Sequence, residues 1–268
     1  MKAIESPYEK IEIMPTGFPA LDTILGGGLH FRKIFQVSGI WSVGKSTLAM
    51  QIVARAQKEK HPCLYADCEI AWANSYAEIL GVDCKTLDLS IEDFAEAYLD
   101  SIEKWASGHK NGVIVLDAVG SLLPREEMEK GAEGRTIGGQ ARLVGAFCRR
   151  IVPILAKKNH ALIVLNHQFT DIQSGRLKAS GGEKLSYAIS QWLTLKRSYG
   201  KPAKRTKDGK KSILFLEAEI RKNKLSATEG MKCELEMIPG QGFVSAPPTL
   251  FDAPRKPRGR PKRTPLST

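Results

Sequence analysis

The chain has 268 residues, 42% apolar and 26% charged, with a formal net charge of +11. This is the composition of a soluble globular chain with room for one large α/β domain. It contains no apolar run long enough to span a bilayer, and residues 1–10 are too polar for a signal peptide. Five cysteines without C-x-x-C spacing argue against a disulfide framework or structural zinc and for a reduced, cytoplasmic location, while the basic excess points to a polyanion such as nucleic acid, or more simply to solubility.

Residues 1–12 form a short polar segment ahead of a core expected over 13–244. In residues 16–29, Leu21 and Leu25 are followed by Gly26, Gly27 and Gly28, a short helix stopped by glycines. Residues 34–37 read as a strand. Directly after it stand Gly39, Ile40, Trp41, Ser42, Val43, Gly44, Lys45 and Ser46, the pattern G-x-x-x-x-G-K-S of a phosphate-binding loop. Its glycines allow backbone N–H groups to surround a phosphate, Lys45 reaches the β- and γ-phosphates of ATP, and the Ser46 hydroxyl can hold Mg²⁺. From Thr47 to residue 54 a helix follows, with Leu48 and Ile52 one turn apart. Strand, glycine loop and helix N-terminus together make a triphosphate site.

Further strands are expected at residues 63–66, 113–116 and 162–165, alternating with helical periodicity at 94–105 and 140–155. This alternation predicts an α/β fold with a mainly parallel central sheet and helices on both faces. Val113, Ile114, Val115, Leu116 and Asp117 are an apolar run ending in a carboxylate, the Walker B form, which makes Asp117 a second magnesium-side group. Glu69 follows the 63–66 strand, where it can act on the water attacking the γ-phosphate or simply begin a helix. His167, after the 162–165 strand, reads as a γ-phosphate sensor or as a satisfied structural residue. Two glycine-bearing polar segments, 129–139 and 168–182, follow predicted strands where α/β proteins bind ligands.

Beyond Gln191 the character changes. Residues 191–196, 212–220 and 232–238 read as short strands of an antiparallel extension. Lys222 and Lys224, two apart in a strand, point the same way; together they can neutralise a transferring phosphoryl group, or they form a solvated strand end. Residues 245–268 read as a disordered basic tail. Within it Arg258, Gly259 and Arg260, between Pro257 and Pro261, form an AT-hook-like motif suited to the minor groove.

Several of these stretches carry a resemblance. Tyr65, Ala66, Asp67, Cys68 and Glu69 are followed by Tyr76 and Ala77; Pro124, Glu127 and Glu129 by Gly139, Ala141 and Arg142. Asn166 and His167, then Ser180, Gly181 and Gly182, then Arg221, Lys222, Asn223 and Lys224 complete the series. On these residues the chain resembles the RecA recombinase family over roughly residues 12–243. The resemblance implies a RecA-like P-loop NTPase core, Glu69 as base and Tyr76 as adenine platform, with Ala73 where the family has an adenine-reading aspartate. It puts His167 at a position where most of the family has Gln, and it sends Lys222 and Lys224 across a subunit interface to the neighbour's ATP. It implies DNA contacts from two loops: Arg135, Arg142, Arg176 and Lys178 on phosphates, with Ile137, Phe169, Ile172 and Leu177 as apolar wedges between bases.

Two departures are visible. Only about a dozen residues precede the core where the family usually has a docking module, and no folded C-terminal domain follows it, so the tail would substitute in duplex capture. The implied function is an ATP- and Mg²⁺-dependent recombinase that self-associates on single-stranded DNA into a filament or ring and pairs it with a duplex. A non-filamenting recombination accessory, a hexameric helicase and a nucleotide-gated switch without a DNA role remain alternatives.

Overall fold

The computed structural model describes residues 10–130, 138–170, 177–198, 204–206, 209 and 212–244. Arg135, Ile137, Ile172, Arg176 and the tail motif Arg258, Gly259 and Arg260 lie outside the described residues.

The chain opens with β1 (Ile13–Met14), α1 (Pro19–Leu25) and β2 (Leu29–His30). Pro19 suits the first turn of α1, and Gly26, at φ 80°, ends the helix in the left-handed conformation. Then come β3 (Ile34–Gly39), α2 (Lys45–Lys58), β4 (Cys63–Asp67), α3 (Asn74–Ile79), β5 (Leu87–Ser90), α4 (Ala95–Gly108) and β6 (Val113–Asp117). A short 3-10 helix (Val119–Ser121) leads to α5 (Arg125–Lys130), α6 (Gly139–Lys158), β7 (Ala161–Thr170), β8 (Leu177–Ala179) and α7 (Gly182–Ala188). The last strands are β9 (Gln191–Arg197), β10 (Lys204–Arg205), β11 (Ser212–Asn223), β12 (Lys232–Ile238) and β13 (Gly242–Val244).

The main sheet runs β13-β12-β11-β9-β3-β7-β6-β4-β5 and is mixed. Pairing is parallel from β9 through β3, β7, β6 and β4 to β5, and antiparallel from β9 through β11 and β12 to β13. Residues 191–196 were expected to belong to the antiparallel extension. Instead β9 pairs parallel with β3 on one side and antiparallel with β11 on the other, so it is the joint between the two halves.

The central strands are buried on both faces because their side chains alternate between two cores. Val113 and Val115 enter the cluster that holds Leu48, Ile52 and Val53 of α2, whereas Ile114 and Leu116 enter the cluster of Leu99, Ile102, Phe147 and Ile151 from α4 and α6. Each fully buried aliphatic side chain contributes about 1.5–3 kcal/mol.

Two sequence expectations change here. The apolar run 162–165 lies in the first half of a ten-residue strand, so His167 lies inside β7 rather than at its end. The polar stretch that follows begins as a hairpin, with Gln168, Phe169 and Thr170 opposite Ala179, Lys178 and Leu177. The first polar segment, 129–139, begins inside a helix, since α5 runs through residue 130.

Candidate nucleotide site

Register brings the chemistry together. Parallel pairing sets Gly39 of β3 beside His167 of β7, and Asp67 of β4 beside Asp117 of β6. The strand ends open on a cavity of about 440 Å³ lined by Trp41, Ser42, Gly44, Lys45, Ser46, Thr47, Glu69, Tyr76, Asp117 and His167. Residues far apart in sequence thus share one wall, at the place where α/β sheets bind ligands.

The loop between β3 and α2 owes its glycines to close packing. A Cβ on Gly39 would stand 2.6 Å from the Leu195 carbonyl oxygen, and one on Gly44, at φ +81°, would stand 2.8 Å from Met237 Sδ. Val43 is buried and pins the loop to the core, while Ile40 and Trp41 face outward, Trp41 being 77% exposed. Lys45 folds back over the loop and donates to Ile40 O at 2.9 Å and Gly39 O at 3.3 Å. Burial pushes its pKa down, and the carboxylates of Glu69 and Asp117 counter this.

Asp67, which the sequence reading passed over, shapes the turn that presents Glu69. Its carboxylate accepts backbone N–H bonds from Glu69 (3.2 Å), Ala71 (2.8 Å) and Trp72 (2.8 Å). Ile70 within this turn has φ 53°, a conformation costing a β-branched residue about 1–3 kcal/mol. The turn displays Glu69, whose Oε1 accepts from His167 Nε2 at 2.7 Å. On its other side His167 Nδ1 stands 3.4 Å from Lys45 Nζ. With Lys45 donating to Nδ1, the ring carries its hydrogen on Nε2 and gives it to Glu69. Lys45, His167 and Glu69 therefore form one chain across the cavity.

The magnesium expectation rests on Ser46 and Asp117. Both line the cavity. Among the described residues no three or more His, Cys, Asp or Glu side chains are arranged to hold a metal ion by themselves. A cation here would complete its shell from phosphate oxygens and water, which is how Mg²⁺ is usually held. Burial pushes the Asp117 carboxyl pKa up, opposed by bonds from Tyr65 and Ser46. Because the folded value lies above the unfolded one, the ionised group destabilises the empty protein near neutral pH, and this cost fades as pH falls through the folded value. Asp117→Asn is therefore expected to raise the melting temperature of the metal-free, nucleotide-free protein near pH 7, with the gap closing as the pH falls into the ordinary carboxylate range. Thermal melts at the two pH values check this; a lower melting temperature near pH 7 contradicts it.

Tyr76 and the end of β12 also line the cavity. Tyr76 OH lies 3.0 Å from Thr47 Oγ1, which ties α3 to α2. Met237, Ile238 and Pro239, at the end of β12, line the same cavity and escaped the sequence reading. Gln51 of α2 holds the adjoining strand β13 by bonding Phe243 at both N (2.8 Å) and O (2.9 Å).

Lys222 and Lys224 do not line this cavity. Their amines bond Ser186 O (2.5 Å) and Tyr187 O (2.6 Å), at the C-terminal turn of α7, where a helix favours cations. They do act on the same side, but Lys224 lies just past the end of β11. Burial, then the neighbouring Lys224, pushes the Lys222 pKa down. Arg142 is exposed on the first turn of α6, and Phe169 is 50% exposed opposite Lys178. Neither Arg142 nor Phe169 reaches the cavity.

A family model of the RecA N-terminal domain matches residues 1–244. The chain belongs to the RecA family. It is 34% identical over 248 residues to Protein RecA of Thermus thermophilus, covering 91% of this chain and 72% of that protein. Protein RecA of Aquifex aeolicus is 31% identical over 247 residues, 91% of this chain and 70% of the relative. Protein RecA of Wolinella succinogenes is 31% identical over 245 residues, 89% and 68%. The RecA family match takes in every residue of the cavity and leaves residues 245–268 outside it.

Proposed function

We propose that this RecA-family chain is a DNA-dependent ATPase that assembles on single-stranded DNA and promotes pairing and strand exchange with a homologous duplex. The observation that carries the reading is the Lys45–His167–Glu69 chain, because His167 stands on the strand that runs out into the β7–β8 hairpin.

In this reading the phosphate loop and Lys45 hold the triphosphate, and Tyr76 with Ile238 and Pro239 encloses the adenine. Ser46 and Asp117 hold Mg²⁺, which neutralises phosphate charge. Glu69 takes a proton from water as the water oxygen bonds the γ-phosphorus and the bond to the β–γ bridging oxygen breaks. Lys45 cannot keep His167 as partner while it binds a γ-phosphate, so ATP frees the imidazole to bond the phosphate itself.

Two neighbours of His167 make that movement felt at the hairpin. Asn166 exchanges bonds with Ser180 across the base of the second loop, at 2.8 and 3.0 Å. Gln168 is held by Ser38 (3.0 Å) and Thr194 (3.2 Å). Nucleotide state and DNA grip are coupled through these contacts.

The test is single-stranded DNA affinity with and without a slowly hydrolysed ATP analogue, in the native chain and in His167→Ala. The native chain is expected to bind DNA about 5–150-fold more tightly with the analogue, the usual range of coupling between sites, and His167→Ala to lose most of that gain. If the variant keeps the full ATP-dependent gain, His167 is not the link.

A further inference from the structure

We propose that the Tyr65 hydroxyl is the positioning group of the magnesium site, fixing the Asp117 carboxylate in the orientation that receives the cation. This rests on the reading of the cavity as an ATP·Mg²⁺ site.

Tyr65 stands in the middle of β4, 1% exposed, with its backbone opposite Val115 of β6. Its side chain runs up the sheet to the strand end, where the hydroxyl donates to Asp117 Oδ2 at 2.6 Å. The Trp72 ring packs against it with centroids 4.8 Å apart. A fully buried phenol normally needs a partner for its hydroxyl, and the partner here is the one carboxylate that the metal also requires.

Ser46, the other candidate metal ligand, lines the same cavity as Asp117. With Oδ2 engaged by Tyr65, the carboxylate cannot rotate freely and its remaining oxygen is the one left for the cation or a cation-bound water. Outer-sphere donors of this kind typically carry 10–100-fold in metal affinity.

Tyr65→Phe removes the donor and keeps the ring. The nucleotide complex formed with ADP is titrated with Mg²⁺ and its melting temperature is followed, and steady-state ATP hydrolysis is titrated with Mg²⁺ in parallel. The variant is expected to need about tenfold more Mg²⁺ for half-saturation in both titrations. Its ADP affinity in the presence of a chelator, and its hydrolysis rate at saturating Mg²⁺, are expected to match the native chain. The chelator measurement also reports whether the variant folds, because a mispacked β4 would lose the loop that binds the phosphates.

An unchanged Mg²⁺ half-saturation in Tyr65→Phe, with the native chain responding to Mg²⁺, overturns this proposal and leaves the nucleotide reading standing. A lower ADP affinity without metal also overturns it, because Tyr65 would then be structural. A native chain whose ADP complex shows no response to Mg²⁺ overturns the nucleotide reading and this proposal with it.

Discussion

Glu69→Gln is expected to bind ATP and Mg²⁺ as the native chain does and to hydrolyse ATP about 10²–10⁴-fold more slowly. The amide has the carboxylate's shape, so the turn built by Asp67 and the bond from His167 both survive. What it loses is the ability to accept the proton of the attacking water. Single-turnover hydrolysis measured beside nucleotide binding separates the two effects. Near-native turnover in the variant would place the base elsewhere. A parallel loss of binding would make Glu69 a structural residue of the cavity.

Lys222→Ala and Lys224→Ala are each expected to lower DNA-stimulated hydrolysis about 10²–10³-fold, the scale seen when one donor to a developing negative charge is removed. Both amines stand away from their own cavity, at the end of α7, so the account makes them act on the nucleotide of a second copy. They also satisfy the last carbonyls of α7, and losing that contact costs about 0.3–1 kcal/mol. A melting curve measures this smaller effect separately. Mixing distinguishes the readings more sharply. Glu69→Gln supplies intact lysines, and a Lys222→Ala, Lys224→Ala double variant supplies an intact Glu69. If the groups meet across an interface, the mixture recovers activity that neither variant has alone. If the lysines act only within their own chain, the mixture shows no more than the average of the two.

The parts of the site that the sequence revealed are those where function forces residues to be adjacent. The loop from Gly39 to Ser46 needs its glycines and lysine within eight positions, and Asp117 must end an apolar strand. Glu69 and Tyr76 were legible only through the family resemblance, because a carboxylate after a strand and a tyrosine in a short helix have ordinary explanations. Tyr65 was hidden because its bond to Asp117 depends on which strand lies beside β4, and nothing in residues 63–69 states that β6 does; Asp67 was hidden because an aspartate at a strand end gives no sign of the turn it will hold.

Met237, Ile238 and Pro239 were hidden for the same reason, since they reach the cavity only when the antiparallel extension folds back over α2. The local apolar pattern of β9 is compatible with either strand direction, and only its neighbours β3 and β11 decide it. The length of β7 escaped because its apolar run stops at Leu165, whereas the strand continues through His167 by pairing with β8. That continuation turns His167 from a residue at a strand end into one that links the cavity to the hairpin.

The most direct measurement is electron microscopy of the purified chain on long single-stranded DNA with a slowly hydrolysed ATP analogue, with and without nucleotide. The account predicts continuous helical filaments that form with nucleotide and disappear without it, and that are lost in the Lys222→Ala, Lys224→Ala double variant. Scattered monomers, or closed rings that unwind duplex without strand exchange, would contradict it.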